Sequence, residues 1–167
     1  MRRLLLSIAV AVVVAVPAAA EGPAQLSVGY SYAKYLGEDD GGSAPVGAFL
    51  ALSGRHGLSL EVDLGWQRDS EELLGESLTL DTFTAVAGPR VAFASDGAVR
   101  PFLHVLGGAR HDRFEGESNT AWGGFAGGGV DLQVAESVAI RLGADFQIFF
   151  DEGENLKTLR LGVGLTF

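Results

Sequence analysis

The chemistry-bearing residues of this chain recur at even spacings between apolar neighbours. Glu61 and Asp63 alternate with Leu60, Val62 and Leu64, and Arg141 and Asp145 alternate with Ile140, Leu142, Ala144 and Phe146. Asp131, Arg110, Arg160 and His104 have similar surroundings, and Arg90 follows Gly88-Pro89. Side chains two apart on an extended chain share one face. Carboxylates and guanidiniums brought together on such faces would pair, because an unpaired buried charge is costly. The same groups arranged around an open space would instead line a narrow, gated passage.

Histidine offers a second kind of chemistry, a general base beside a serine nucleophile. His56 lies near Ser59, and His111 has Ser118 in the same polar segment, with Asp112 or Glu115 to orient it. Spacing within one segment is weak ground for a triad, so no catalytic residue is expected. The chain has no Cys, which removes thiolate zinc sites, Cys nucleophiles and disulfides. Thirteen of the 21 acidic residues fall in or beside four polar segments: Glu38, Asp39, Asp40; Asp69, Glu71, Glu72, Glu76; Asp112, Glu115, Glu117; Asp151, Glu152, Glu154. Clustered oxygens can hold hard divalent cations. None shows calcium-loop spacing, so a solvated acidic rim is expected, with no metal and no cofactor.

The elements that would position these groups are strands. LSLEVDLGWQ (58–67), VAIRLGADFQIFF (138–150), LRLGVGLTF (159–167) and the segment 25–32 all alternate with a period of two. Segments 44–53, 78–93, 100–110 and 121–134 follow the rule less cleanly, and Pro89 suggests a bulge or bend. That makes eight strands. Connectors at 54–57, 95–99 and 135–137 read as tight turns, whereas 37–43, 69–77, 111–120 and 151–155 read as longer, acidic loops.

Composition bounds the rest. The 167 residues carry 21 acidic against 12 basic side chains, a balance that argues against nucleic-acid binding. The 47% hydrophobic content does not fit a disordered chain. The 24 Gly residues are about twice the usual share. Residues 1–20, MRRLLLSIAVAVVVAVPAAA, read as a cleaved signal peptide: Arg2 and Arg3, an apolar run, then small residues. Its apolar core is short of the roughly 20 residues that span a bilayer. Removing it leaves 10 basic and 21 acidic residues, a net charge of −11 on residues 21–167.

Which face is apolar decides the solvent. A soluble lipocalin-like barrel would turn its apolar residues inward and bind a ligand in the periplasm. Three features favour the inverse. The polar face is rich in Gly, Ser, Thr and Gln, and Lys34 and Lys157 are the only lysines. The last strand runs to Phe167, and aromatics near strand ends (Tyr32, Tyr35, Trp66, Trp122, Phe150, Phe167) could form interfacial girdles. The expected fold is therefore an all-β, eight-stranded antiparallel up-and-down transmembrane barrel over residues 21–167.

The signal peptide, the eight strands and LRLGVGLTF resemble the small OmpA/OmpX-type outer-membrane β-barrels. Gly88-Pro89-Arg90, Arg100-Pro101-Phe102-Leu103-His104 with Gly107-Gly108, and Gly127-Gly128-Gly129-Val130-Asp131 resemble runs in bacterial outer-membrane β-barrel-domain proteins. The resemblance implies an outer-membrane location, contact with lipid and lipopolysaccharide, a monomer, and no catalytic residues. It also implies that Leu161, Val163, Leu165 and Phe167 are read by the barrel-assembly machinery. An OmpA-type peptidoglycan-binding domain is not expected after these strands.

On that reading Glu61, Asp63, His104, Arg110, Asp131, Arg141, Asp145 and Arg160 point into a lumen just wide enough for side chains. A salt-bridged plug is expected, with a gated pore as the alternative. Inward Gly29, Gly65, Gly143, Gly162 and Gly164 would spare volume there, as would Gly123, Gly127 and Gly129 around Phe125. Gly124 and Gly128 would face lipid. The expected role is structural, in surface interaction or in envelope maintenance.

Overall fold

The computed structural model describes residues 24–36, 45–73, 76–93, 97–114, 117–151 and 154–167. The signal segment 1–20 and acidic residues Glu38, Asp39, Asp40, Glu115 and Glu152 lie outside them. The eight strands are β1 (Ala24–Tyr35), β2 (Val46–Gly54), β3 (Gly57–Leu73), β4 (Glu76–Ala92), β5 (Val99–Phe114), β6 (Glu117–Ala135), β7 (Val138–Asp151) and β8 (Glu154–Thr166). Each pairs antiparallel with the next, and β1 pairs with β8 to close the barrel.

The register fixes the shape. Following paired residues around the wall leads from Leu26 through Leu52, Val62, Ala87, Gly107, Gly124, Ile148 and Lys157. The path returns at Leu36, the residue after β1, whose N–H donates to the Lys157 carbonyl, a stagger of ten residues from Leu26. With about 3.3 Å per residue and about 4.8 Å between strands, that stagger over eight strands means a tilt of about 40°. The backbone radius is then about 8 Å, which leaves room for side chains and little else.

Alternation sorts the side chains as expected. Leu58, Leu60, Leu103, Val105, Tyr30, Trp122 and Val163 are exposed on the outer wall, while Glu61, Asp63, Arg90, Asp131 and Arg160 are buried inside. A barrel with these faces is the reverse of a lipocalin, so the periplasmic ligand-binding alternative is corrected. No helix among the described residues is long and apolar enough to cross a membrane, and the apolar wall is made of strands.

Three expectations about the elements change. Segments 69–77, 111–120 and 151–155 are mostly ladder rather than loop. Pairing continues to Leu73↔Glu76, Phe114↔Glu117 and Asp151↔Glu154. No proline or glycine interrupts the ladder before Gly75, Gly116 and Gly153, so the backbone keeps its hydrogen bonds beyond the apolar band. Second, Pro89 makes no bulge. The β4–β5 register is the same at Ala87↔Gly107 and Arg90↔His104, and Pro89 faces outward. The register shifts instead between Gln133 and Ala135 on β6, beside the β6–β7 turn.

Third, the glycines serve two purposes. At Gly162 an added Cβ would lie 3.3 Å from the Phe49 ring, so volume inside the lumen is what is spared. At Gly129 it would lie 2.0 Å from the Leu142 carbonyl oxygen, so close approach of strand β7 is what excludes a side chain there.

An aromatic level marks the outer boundary of the apolar wall. Trp66 pairs with Phe83, and Trp122 with Phe150, all facing outward. One step beyond it the guanidinium of Arg68 donates to both carboxylate oxygens of Asp81, at 2.9 and 3.0 Å. That hydrogen bonding holds the Asp81 carboxyl below its ordinary range. Tyr35 leaves the girdle: its hydroxyl accepts from Arg110 Nη2 at 2.9 Å, on the lumen side.

Candidate functional site in the barrel lumen

The alternation of six strands delivers eight ionisable side chains to one interior space. Arg160 on β8 donates to Asp63 on β3 through Nη1 and Nη2, at 2.9 and 3.0 Å. Its Nε donates to Asp145 on β7 at 2.8 Å. The other oxygen of Asp145 lies 2.8 Å from Nε2 of His104, whose Nδ1 is 3.2 Å from Glu61. Glu61 lies 3.0 Å from Nε of Arg90, an ion pair whose N–H is not aimed at the oxygen. Arg90 Nη2 donates to Asp131 at 3.1 Å, and Arg141 donates to the same carboxylate through Nε and Nη2 at 2.8 and 2.9 Å.

The order Asp63, Arg160, Asp145, His104, Glu61, Arg90, Asp131, Arg141 alternates in sign from end to end. Both nitrogens of His104 face carboxylate oxygens, and only an imidazolium donates from both. With that ring charged, four carboxylates meet four cations and the array is neutral. This balance matters because every member is buried.

Neutral groups complete the layer. Gln25 on β1 lies beside Ser53, Asp131 and the guanidiniums of Arg90 and Arg141; turned with its amide oxygen toward them, it accepts from both. The Phe102 ring lies 4.4 Å from Arg90 and 4.6 Å from Arg141, and Phe125 lies 4.6 Å from Arg160. These faces give cations favourable contacts in a dry setting. A cavity of about 20 Å³ bordered by His104, Asp145 and Arg160 is left among these groups. That is room for about one water.

Against this layer stands an apolar cluster: Val86, Leu106, Ala121, Phe125 and Phe149, joined by Leu156. Phe125 and Phe149 meet edge to face, with ring centroids 5.9 Å apart. Beyond the cluster is a second polar group. Arg110 Nε binds the Asp112 carboxylate at 2.8 and 3.0 Å, and Thr82 donates to the same carboxylate.

Of the expected lumen residues, Glu61, Asp63, His104, Asp131, Arg141, Asp145 and Arg160 therefore meet in one array. Arg110 is buried but belongs to the separate group with Asp112 and Tyr35. Arg90, whose orientation Pro89 obscured, sits between Glu61 and Asp131. Counting in twos from Thr82 through Val86 and straight across Pro89 would have placed it inward. Leu161, Val163 and Leu165 form an outward stripe on β8.

The suspected catalytic groups fall elsewhere. His111 Nδ1 lies 3.0 Å from Thr120 Oγ1, and Asp112 points to the opposite face, so it cannot orient His111. Ser59 lies 3.5 Å from the Arg90 carbonyl oxygen, to which its hydroxyl donates.

A closed barrel that turns apolar side chains outward and charges inward is a membrane barrel of the outer-membrane kind. A family model described as outer membrane protein beta-barrel domain matches residues 6–167, and the chain belongs to that family. It is an outer-membrane protein. Solved structures agree on the fold. Neisserial surface protein A superposes with a TM-score of 0.72 at 13% identity, covering 87% of this chain and 96% of that one. OprG of Pseudomonas aeruginosa gives 0.60 at 10% identity, covering 86% and 93%. Ail of Yersinia pestis, in complex with the heparin analogue sucrose octasulfate, gives 0.57 at 16%, covering 86% and 97%. No curated protein matches the sequence significantly.

Proposed function

We propose that the protein is a non-conducting, non-enzymatic barrel that serves the envelope through its outer wall and cell-surface rim, its lumen closed by its own side chains. The observation that carries this reading is the neutral array of eight buried charges, with an apolar cluster packed against it. An ion entering the lumen would have to displace paired charges that have no hydration to replace them. The barrel works as a monomer in contact with outer-membrane lipid and lipopolysaccharide. The β8 stripe of Leu161, Val163, Leu165 and Phe167 is the surface the barrel-assembly machinery reads.

The rim also separates this protein from Ail. The segment after β1 carries Glu38, Asp39 and Asp40, and the outer end of β3 carries Glu71 and Glu72, so a sulfated polyanion of the kind bound by Ail is repelled here. A surface partner would have to be basic or neutral.

A narrow channel is the second reading. Ser31, Gln67, Thr84 and Thr158 put polar groups inside the lumen on β1, β3, β4 and β8, and the Thr158 hydroxyl has no partner among the described residues. Reconstitution in planar bilayers separates the two. The closed reading expects no unitary conductance above the lipid baseline, and stable openings abolished by a bulky Ser31→Phe substitution would establish the channel instead.

A further inference from the structure

His104 sits where the ionic array divides. On one side Asp63, Arg160 and Asp145 form a group with one net negative charge. On the other, Glu61, Arg90, Asp131 and Arg141 form a neutral group. Among the described residues His104 makes the only direct ionic link between the two, through Nε2 to Asp145 at 2.8 Å and Nδ1 to Glu61 at 3.2 Å.

Glycine makes that reach possible. Gly127 of β6 pairs in register with His104 on one side and with Asp145 on the other. An added Cβ there would lie 2.3 Å from Asp145 Oδ1, the oxygen that meets His104. Glu61 pairs with Gly88 of β4, so that inward position is bare as well. The ring on β5 therefore meets carboxylates two strands away on both sides.

The charged groups around the ring are Glu61 and Asp63 from β3, Arg90 from β4, Asp131 from β6, Arg141 and Asp145 from β7, and Arg160 from β8. The inward residues of β1 and β2 add no charge. Imidazole is the one side chain in this set whose ordinary titration lies near neutral pH. Once its proton leaves, one ring nitrogen turns a lone pair toward a carboxylate oxygen, and the array carries one net negative charge. The remaining proton belongs on Nε2, because the contact with Asp145 is the shorter and that group holds the unbalanced charge. Glu61 Oε1 then faces a lone pair, while Oε2 keeps Arg90 at 3.0 Å. The cavity of about 20 Å³ borders both His104 and Glu61, which gives the ring room to part from the carboxylate.

We propose that His104 is a proton-operated latch inside the barrel: protonated, it clamps β3 to β7 through Glu61 and Asp145; deprotonated, it lets go of Glu61 and loosens the lumen. The stability that the imidazolium contributes is complete on the acid side of its titration. It disappears as pH rises through the value at which the folded barrel releases the proton. The latch deepens the closed-lumen reading and rests on the ionic array, not on whether the lumen conducts.

Nitrogen NMR of the detergent-solubilised, histidine-labelled barrel tests the proton directly. His56→Gln and His111→Gln leave one ring to observe. Both nitrogens of His104 should be protonated at neutral pH, and only Nε2 after titration to alkali. Urea unfolding of the same protein, followed by Trp fluorescence from about pH 6 to about pH 10, should show the unfolding constant rising about tenfold as that signal changes. That is the size expected for one hydrogen bond to a charged group. Adding His104→Gln should flatten the profile at the weaker level. Adding Glu61→Gln as well restores the charge balance, and should recover stability with the profile still flat, a second reading should the single Gln variant not fold. A neutral ring in the folded barrel at neutral pH, or an unfolding constant that does not change across the range, would overturn the latch. Conductance in planar bilayers at neutral pH would overturn the closed-lumen reading and leave the latch standing.

Discussion

Replacing Arg160 with Met should destabilise the folded barrel by about 3–5 kcal/mol, the range for removing one partner of a buried ion pair. The structure says why the cost falls at the upper end. Among the described residues Arg160 is the sole ionic partner of Asp63 and one of two for Asp145. Its loss leaves the array with one net negative charge and strands the Asp63 carboxylate, which is 2% exposed. Met keeps an unbranched stem against Phe125 and Phe49, so packing loss is small and charge dominates. Adding Asp63→Asn restores neutrality, because Asp145 keeps His104. The double variant should therefore recover more than half of the loss, a coupling of about 2 kcal/mol or more. Urea titration of the detergent-solubilised barrel, followed by Trp fluorescence, measures both numbers. A loss below about 1 kcal/mol in Arg160→Met, or simple additivity in the double variant, would refute the claim that charge balance holds the lumen together.

Four further outcomes are expected. Gly127→Ala places a carbon 2.3 Å from Asp145 Oδ1 and 2.4 Å from the Ala144 carbonyl oxygen, and should cost about 1–3 kcal/mol by the same titration. Gly107→Ala, whose new carbon meets only the Gly123 oxygen at 3.7 Å, should change stability by less than about 0.5 kcal/mol. The Asp81 carboxyl is held low by Arg68, so the stability it contributes is complete above the ordinary carboxylate range and disappears as pH falls through the lowered value. The emission of Trp66, whose indole N–H donates to Asp81 at 3.2 Å, should report that loss, and Asp81→Asn should remove its acid limb. Phe167→Ala should slow barrel assembly in cells, seen as a longer-lived unfolded band in pulse-chase gels, with little change in urea stability once folded.

The strands and their faces were legible because a period of two leaves few alternatives where both faces are strongly marked, as at Glu61–Trp66 or Arg141–Gln147. Seven members of the ionic array followed from that alternation alone. Their pairing order did not, because Asp63 meets Arg160 across the lumen and sequence separation says nothing about such contacts. The outer ends of the strands were misread as loops because charge and polarity looked like the mark of a turn. The better signal was local. Leu74-Gly75, Glu115-Gly116 and Glu152-Gly153 each separate two strands by two residues with Gly second, a common hairpin pattern. Tyr35 and Asp112 were misplaced for the same reason: being near a strand end said less about them than their position in the alternation.

Six of the eight strands contribute to the ionic array, and the two that do not are consecutive. β1 and β2 offer the lumen Gln25, Ser27, Ser31 and Ser53, with no charged side chain among them. A curled sheet of β3 to β8 can therefore neutralise itself before the cylinder is complete. Docking the remaining hairpin against β8 and β3 then adds backbone ladders, hydroxyl contacts such as Ser27 with Thr166 at 2.8 Å, and neutral acceptors for guanidiniums, such as the Gly54 carbonyl for Arg90, but no further ion pair. The seam lies where closing makes no ion pair, so the β1–β2 hairpin completes the cylinder without carrying any of its charge balance.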